Sequence, residues 1–186
     1  MRYVKRSIDF GLLFVSSGKS PTDPWVLRAS VDSDWAACKD TRRSRTGWLI
    51  WLNNDLICFG SKLQRAVARS SAEAEYMVLS MVIQIMLLWI VNIIEAIPGQ
   101  FIRRPIHVIE DNKPCINLAD NHAASKFTRH IGIAHHFLRE HCHGGNKQFK
   151  IVWIQSNLQP ADGMTKPLPR ATFENFQHRV VSDTQL

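Results

Sequence analysis

Val31-Asp32-Ser33-Asp34-Trp35 closes an apolar run that begins at Trp25, and it sets two carboxylates two positions apart. Side chains of an extended strand alternate between faces, so Asp32 and Asp34 project from one side of a sheet. Ionised carboxylates beside a half-buried strand are costly unless metal ions, cationic groups or water meet them. An isolated Asp-x-Asp also fits a strand that ends in a solvated turn, and the residues further along the chain decide between the two.

With 186 residues, 45% hydrophobic and 21% charged, the chain has the size and make-up of one globular domain with a core, which excludes a disordered segment. A formal charge of +7 fits a partner rich in phosphate, and a basic balance alone fits an anionic membrane surface or nothing specific equally. Cys38, Cys58, Cys115 and Cys142 are scattered without a Cys-x-x-Cys pair, so neither a disulfide framework nor a zinc ribbon is indicated and a reducing compartment is expected. The basic start Met1–Arg6 and the short apolar run Phe10–Val15 lack the length and cleavage site of a secretory leader. Ser16–Pro24, with Gly18, Pro21 and Pro24, reads as a linker.

Two apolar runs, Thr46–Leu52 and Leu56–Gly60, flank Asn53-Asn54-Asp55, a hairpin signal because Asn and Asp tolerate left-handed turn conformations. Together with the strand Trp25–Val31 they make a three-stranded antiparallel meander, with Lys39–Arg45 as a polar, basic connection. Ser70-Ser71-Ala72-Glu73 is a capping box, so a helix starts there and runs to about Ile97, before Pro98-Gly99. Glu73 and Glu75 stand about 200° apart on a helix, so one caps and the other looks inward. From Met77 to Ile94 there is no charged residue, a length that reaches the lower bound for a membrane span. Glutamates at both ends and the lack of a flanking Lys/Arg cluster favour a greasy core helix with an exposed apolar stripe.

Pro105–Ile109 is a strand with an acidic tip, Glu110-Asp111-Asn112, followed by a short helix over Pro114–Ala119. Ile131–His143 is a helix, Phe149–Ile154 a strand, and Thr172–Val181 a closing helix. The order is β-β-β-α-β-α-α-β-α, with carboxylates at the first strand end (Asp32), the first turns of the long helix (Glu75), the fourth strand end (Asp111) and beyond the fifth strand (Asp162). Oxygen ligands converging in a mixed sheet suit Mg²⁺, and two such ions about 3.5–4 Å apart support phosphodiester cleavage. Spacing alone does not establish that convergence. His135, His136, His141 and His143 lack a matching distant ligand pair for zinc and read as a polar helix face.

Asp32-Ser-Asp-Trp-Ala with Lys39-Asp-Thr-Arg-Arg-Ser, Ser70-Ser-Ala-Glu-Ala-Glu-Tyr-Met, Glu110-Asp-Asn and Ala161-Asp-Gly-Met-Thr-Lys-Pro-Leu-Pro169 occur in that order. Together they resemble the ribonuclease H domain of copia-type retrotransposon polyproteins. The resemblance covers about Trp25–Val181. Arg2–Arg6 with Phe10–Leu13 is similar to the connection that follows the reverse transcriptase in those polyproteins, so the chain is expected to be a piece of a longer element. The division implied is a connection remnant and linker at 1–24, a ribonuclease H-like domain at 25–181 and a tail at 182–186.

The resemblance implies an α/β, ribonuclease H-like fold: a five-stranded mixed sheet, three antiparallel strands and then parallel additions, flanked by helices. It implies an endonuclease that hydrolyses the RNA strand of RNA–DNA hybrids during reverse transcription, leaving 5′-phosphate and 3′-hydroxyl ends. Asp32, Glu75, Asp111 and Asp162 match the family's catalytic metal ligands for two Mg²⁺ ions, with Mn²⁺ as a substitute, while Asp34 and Glu110 are auxiliary at most. Arg42, Arg43, Lys62 and Arg65 are candidates for gripping the hybrid's phosphates. His130 matches a family histidine. The implied partners are an RNA–DNA hybrid and, in a full element, the reverse transcriptase domain; no membrane is implied, and the setting is the cytoplasm or virus-like particles. Three features depart from the family: Gly163 where an aliphatic residue is usual, Gly132 in place of an aspartate, and Met81, Ile85, Ile90 and Val91 where charges are common. They leave a second expectation, an inactive remnant or nucleic-acid-binding module that keeps the fold.

Overall fold

The computed structural model describes residues 11, 12, 14, 20, 22–120, 132–143 and 147–182. His130, most of residues 1–24, where a connection remnant is expected, and the residues beyond Ser182 lie outside the described residues.

β1 (Leu27–Asp34), β2 (Arg45–Leu52) and β3 (Asp55–Leu63) form the expected antiparallel meander. Asn53, at φ 56°, takes the left-handed conformation that the hairpin turn requires. β1 extends through Asp34 instead of stopping before the carboxylates, because Asp32, Ser33 and Asp34 continue the ladder opposite Gly47, Thr46 and Arg45. β4 (Ile106–Glu110) and β5 (Phe149–Trp153) then add in parallel, giving a mixed sheet in the order β3-β2-β1-β4-β5.

One long helix, α1 (Ser71–Glu95), packs its inner face on the sheet. Ser70 caps it by accepting from the Glu73 N–H at 3.2 Å, and a Glu73 oxygen accepts from the Arg69 N–H at 2.9 Å. The glutamate thus reaches one residue further back than the capping box anticipates. Tyr76, Leu79, Ile83 and Leu87 are fully buried against Val31, Ile50 and Ile106. Val82–Leu87 is a π-helical segment with i→i+5 hydrogen bonding. The burial of the helix corrects the reading of its outer face. Ile90 and Val91 belong to the core, whereas Ile85, Trp89 and Ile93 are exposed. Half of the 18-residue apolar window is buried inside the domain, although length and composition alone would let the helix cross a membrane.

α2 (Lys113–Asp120) is capped by Asn112, whose Oδ1 accepts from the Cys115 N–H at 2.9 Å. α3 (Gly132–His143) precedes β5, and two short 3₁₀ turns, Ser156–Leu158 and Pro160–Met164, lead to α4 (Arg170–Ser182). A second, smaller core of Leu49, Trp51, Leu56 and Val180 fixes α4 on the opposite face of the meander.

Candidate metal centre

β1 and β4 are parallel neighbours with Ser30 opposite Ile109, so Asp32 and Asp111, each two residues further on, emerge at one level. Glu75 arrives from the second turn of α1, which packs on β1. One oxygen from each of Asp32, Glu75 and Asp111 lies within 4.8 Å of the other two. Three of the four carboxylates picked out from the sequence are therefore brought together.

The fourth, Asp162, sits in the Pro160–Met164 turn outside that tight set and binds Lys166 Nζ at 2.5 Å. Its charge still acts on Asp32. The turn is pinned beneath β1 by Gln159, which donates to the Val31 carbonyl at 2.9 Å and accepts from Ser30 Oγ at 2.5 Å. Thr165 donates to Asp32 Oδ2, and its Oγ1 is 3.0 Å from the Asp162 carbonyl oxygen.

Burial pushes the Asp32 carboxyl up to about 6, against the pull of the Thr165 hydrogen bond, and the charges of Asp162 and Asp111 push it the same way. Glu75 is raised well above the carboxylate range by burial first, then by the charges of Glu110 and Asp32, while a backbone hydrogen bond from Ser33 opposes the shift. Glu75 Oε2 is buried without a hydrogen-bond donor among the described residues. Clustered, desolvated acids with an unsatisfied oxygen are the donor set a hard divalent cation takes up, so these residues fit a metal ion of the Mg²⁺ or Mn²⁺ kind.

Arg42 and Arg43 are exposed on the β1–β2 connection, Arg42 with a left-handed φ of 55°. Lys62 and Arg65 are exposed around a cavity of about 310 Å³ that Met77, Met81 and Ile85 also line. His141 Nδ1 lies 2.9 Å from the Phe137 carbonyl and its ring stacks on Phe137 at 4.2 Å, so this histidine is spent within its own helix.

No family model matches the chain. Over 180 residues, 97% of this chain, it is 31% identical to the Retrovirus-related Pol polyprotein from transposon RE1 of Arabidopsis thaliana. It is likewise 31% identical over 174 residues, 94% of its length, to the Retrovirus-related Pol polyprotein from transposon TNT 1-94 of Nicotiana tabacum. The chain spans 12% of the length of each of these relatives. Among solved structures, a ribonuclease H1 isolated from compost superposes with a TM-score of 0.54 at 11% identity, covering 75% of this chain and 91% of that one. The chain belongs to the copia-type Pol polyproteins, as their ribonuclease H domain.

Within this copia-type domain, sequence reasoning undervalued several residues. Glu110 is fully buried: one oxygen accepts from the Asn112 N–H at 2.9 Å, the other has no donor among the described residues, and burial raises its carboxyl. A signal was available, since Glu110 shares strand parity with the core residues Ile106 and Val108. Thr165 and Lys166 were visible only as letters of the Thr-Lys-Pro-Leu-Pro tail, yet they hold Asp32 and Asp162. Gly47 lies opposite Asp32, where an added Cβ would stand 2.8 Å from both Met164 Cβ and Thr165 Cγ2. Gly163 is likewise a packing requirement, because a Cβ there would lie 2.5 Å from the Phe176 ring. That departure from the family is matched by the aromatic that fills the space on α4.

Proposed function

We propose that the domain is a divalent-metal-dependent endonuclease that hydrolyses the RNA strand of RNA–DNA hybrids during retrotransposon reverse transcription, working beside the reverse transcriptase of a full-length Pol polyprotein. The observation that carries this reading is the convergence of Asp32, Glu75 and Asp111 at one end of a ribonuclease H fold. Family membership with retrovirus-related Pol polyproteins supports the substrate class.

Asp32, Glu75 and Asp111 would hold a divalent cation, and Asp162 would serve a second. When bound, a pair of such ions activates water and stabilises the leaving oxygen of a scissile phosphate. The remaining work belongs to the chain. The Ser33 N–H and the Thr165 hydroxyl aim Glu75 and Asp32, so the ligating oxygens need little reorganisation. Lys166 holds Asp162 and supplies a positive charge beside the carboxylates. Asp32 and Glu75 must give up their protons to ligate, so function turns on with rising pH. Arg42, Arg43, Lys62 and Arg65 would grip phosphates without reading sequence.

The test is discrimination among substrates: a labelled RNA–DNA hybrid, single-stranded RNA and duplex DNA, each incubated with the chain in Mg²⁺ and again in a chelator. Cutting confined to the RNA of the hybrid, abolished by the chelator and restored by Mg²⁺ or Mn²⁺, supports the proposal. A folded chain that leaves the hybrid intact would fit an inactive remnant instead.

A further inference from the structure

On the sheet face that α1 leaves open, a cavity of about 470 Å³ runs beside β1, β4 and β5, away from the clustered carboxylates. Strand register sets Arg28 opposite His107 and His107 opposite Lys150, a row of three basic residues across three neighbouring parallel strands. Arg28 is steadied from the side by Trp51, with its guanidinium 5.0 Å from the indole centroid. Arg103 adds an exposed cation at the rim, while Arg104 is engaged by Glu95 at 2.8 Å. Among the described residues no aspartate or glutamate lines the cavity.

The floor is apolar, formed by Ile109, Val152 and Ile154; Trp153, 45% exposed at one end, carries Lys113 Nζ 4.3 Å from its ring centroid. Trp153 also donates its indole N–H to the Asp111 carbonyl at 3.1 Å, which joins this end of the groove to the metal centre. Cations beside an apolar floor suit a ligand that alternates phosphates with flat bases. An acidic peptide would use the cations but not the floor.

We propose that this groove binds a single nucleic-acid strand. Its phosphates run along Arg103 and His107 toward Lys150, which neighbours His107 in register beyond the cavity lining, and its bases lie on the floor of Ile109, Val152 and Ile154. The inference stands apart from cleavage, and its test is run without divalent ions so that neither outcome depends on catalysis.

The experiment is fluorescence anisotropy of a labelled oligothymidylate with the full chain in a chelator across a salt series. A chain carrying both Arg103→Ala and Lys150→Ala is compared with one carrying Arg103→Lys and Lys150→Arg. Both positions are exposed, and circular dichroism checks the fold. Loss of two phosphate contacts should weaken binding about tenfold and flatten the slope of log affinity against log salt by about 1.4, whereas the charge-conserving pair should bind as the parent does. Unchanged affinity and slope in the alanine pair would overturn the proposal. So would an equal loss from Lys62→Ala with Arg65→Ala, which places the strand elsewhere, or equally effective competition by polyglutamate, which would assign the groove to acidic peptides.

Discussion

The hydroxyl of Thr165 rests on the carboxylate of Asp32, tying the turn that carries Asp162 to the strand that begins the site. This one contact spans 133 positions of sequence and lowers the affinity of a buried carboxyl for its proton. Thr165→Val removes the donor and nearly keeps the shape. A hydrogen bond to a charged group contributes about 1.5–3 kcal/mol, so Mg²⁺ affinity near neutral pH should fall about tenfold or more. Calorimetric titration of the variant checks this; unchanged affinity would show that the hydroxyl does not prepare Asp32.

Gly47 and Gly163 hold the same turn from opposite sides. Gly47→Ala drives a methyl into Met164 and Thr165, and Gly163→Ala drives one into Phe176. Each should cost about 1–3 kcal/mol by overpacking. Gly47→Ala should weaken Mg²⁺ binding the more of the two, because it displaces the donor to Asp32. Denaturant melts set beside metal titrations separate the two effects.

The raised carboxyls make the metal-free chain sensitive to pH. Unfolded carboxylates lose their protons near pH 4, whereas folded Asp32 does so at about 6, and Glu75 and Glu110 hold theirs higher still. The folded state therefore binds more protons, so the stability these groups provide is complete below about pH 4 and is lost as pH rises through 6 and beyond. For Asp32 the loss is about 3 kcal/mol. Thermal melts in a chelator should show melting temperature falling over that window, with a smaller fall in Asp32→Asn. Mg²⁺ should oppose the fall and release protons as it binds, measurable as a dependence of binding heat on the buffer.

Ile85, Trp89 and Ile93 leave an apolar stripe along the outside of α1, 63%, 64% and 45% exposed. Replacing Ile85 and Trp89 with lysine should change stability by no more than about 0.5 kcal/mol, because both side chains are largely exposed. Any self-association of the chain should decrease, as sedimentation velocity would show.

Strand periodicity made the meander legible because β1 and β2 bury alternating or continuous apolar faces and Asn53 marks the turn. The helix start was legible because Ser70 and Glu73 satisfy orphan N–H groups locally. Asp32, Glu75 and Asp111 were found through motif resemblance; their convergence follows from the parallel pairing of β1 with β4, a long-range register that no local pattern encodes. The π segment was invisible for a related reason. Nothing in Val82–Leu87 breaks a helix or marks where the i→i+5 bonding falls. Gly163 read as a departure because its partner, Phe176, lies on another helix.

Cleavage of an RNA–DNA hybrid in Mg²⁺, by the chain and by Asp32→Asn in parallel, decides whether Asp32 belongs to a catalytic metal centre. The expected result is cutting of the RNA strand by the parent and none by Asp32→Asn, with the variant folded and at least as stable without metal. Equal cutting by both chains, or none by a folded parent that binds Mg²⁺, would contradict the assignment of Asp32 to a catalytic metal centre.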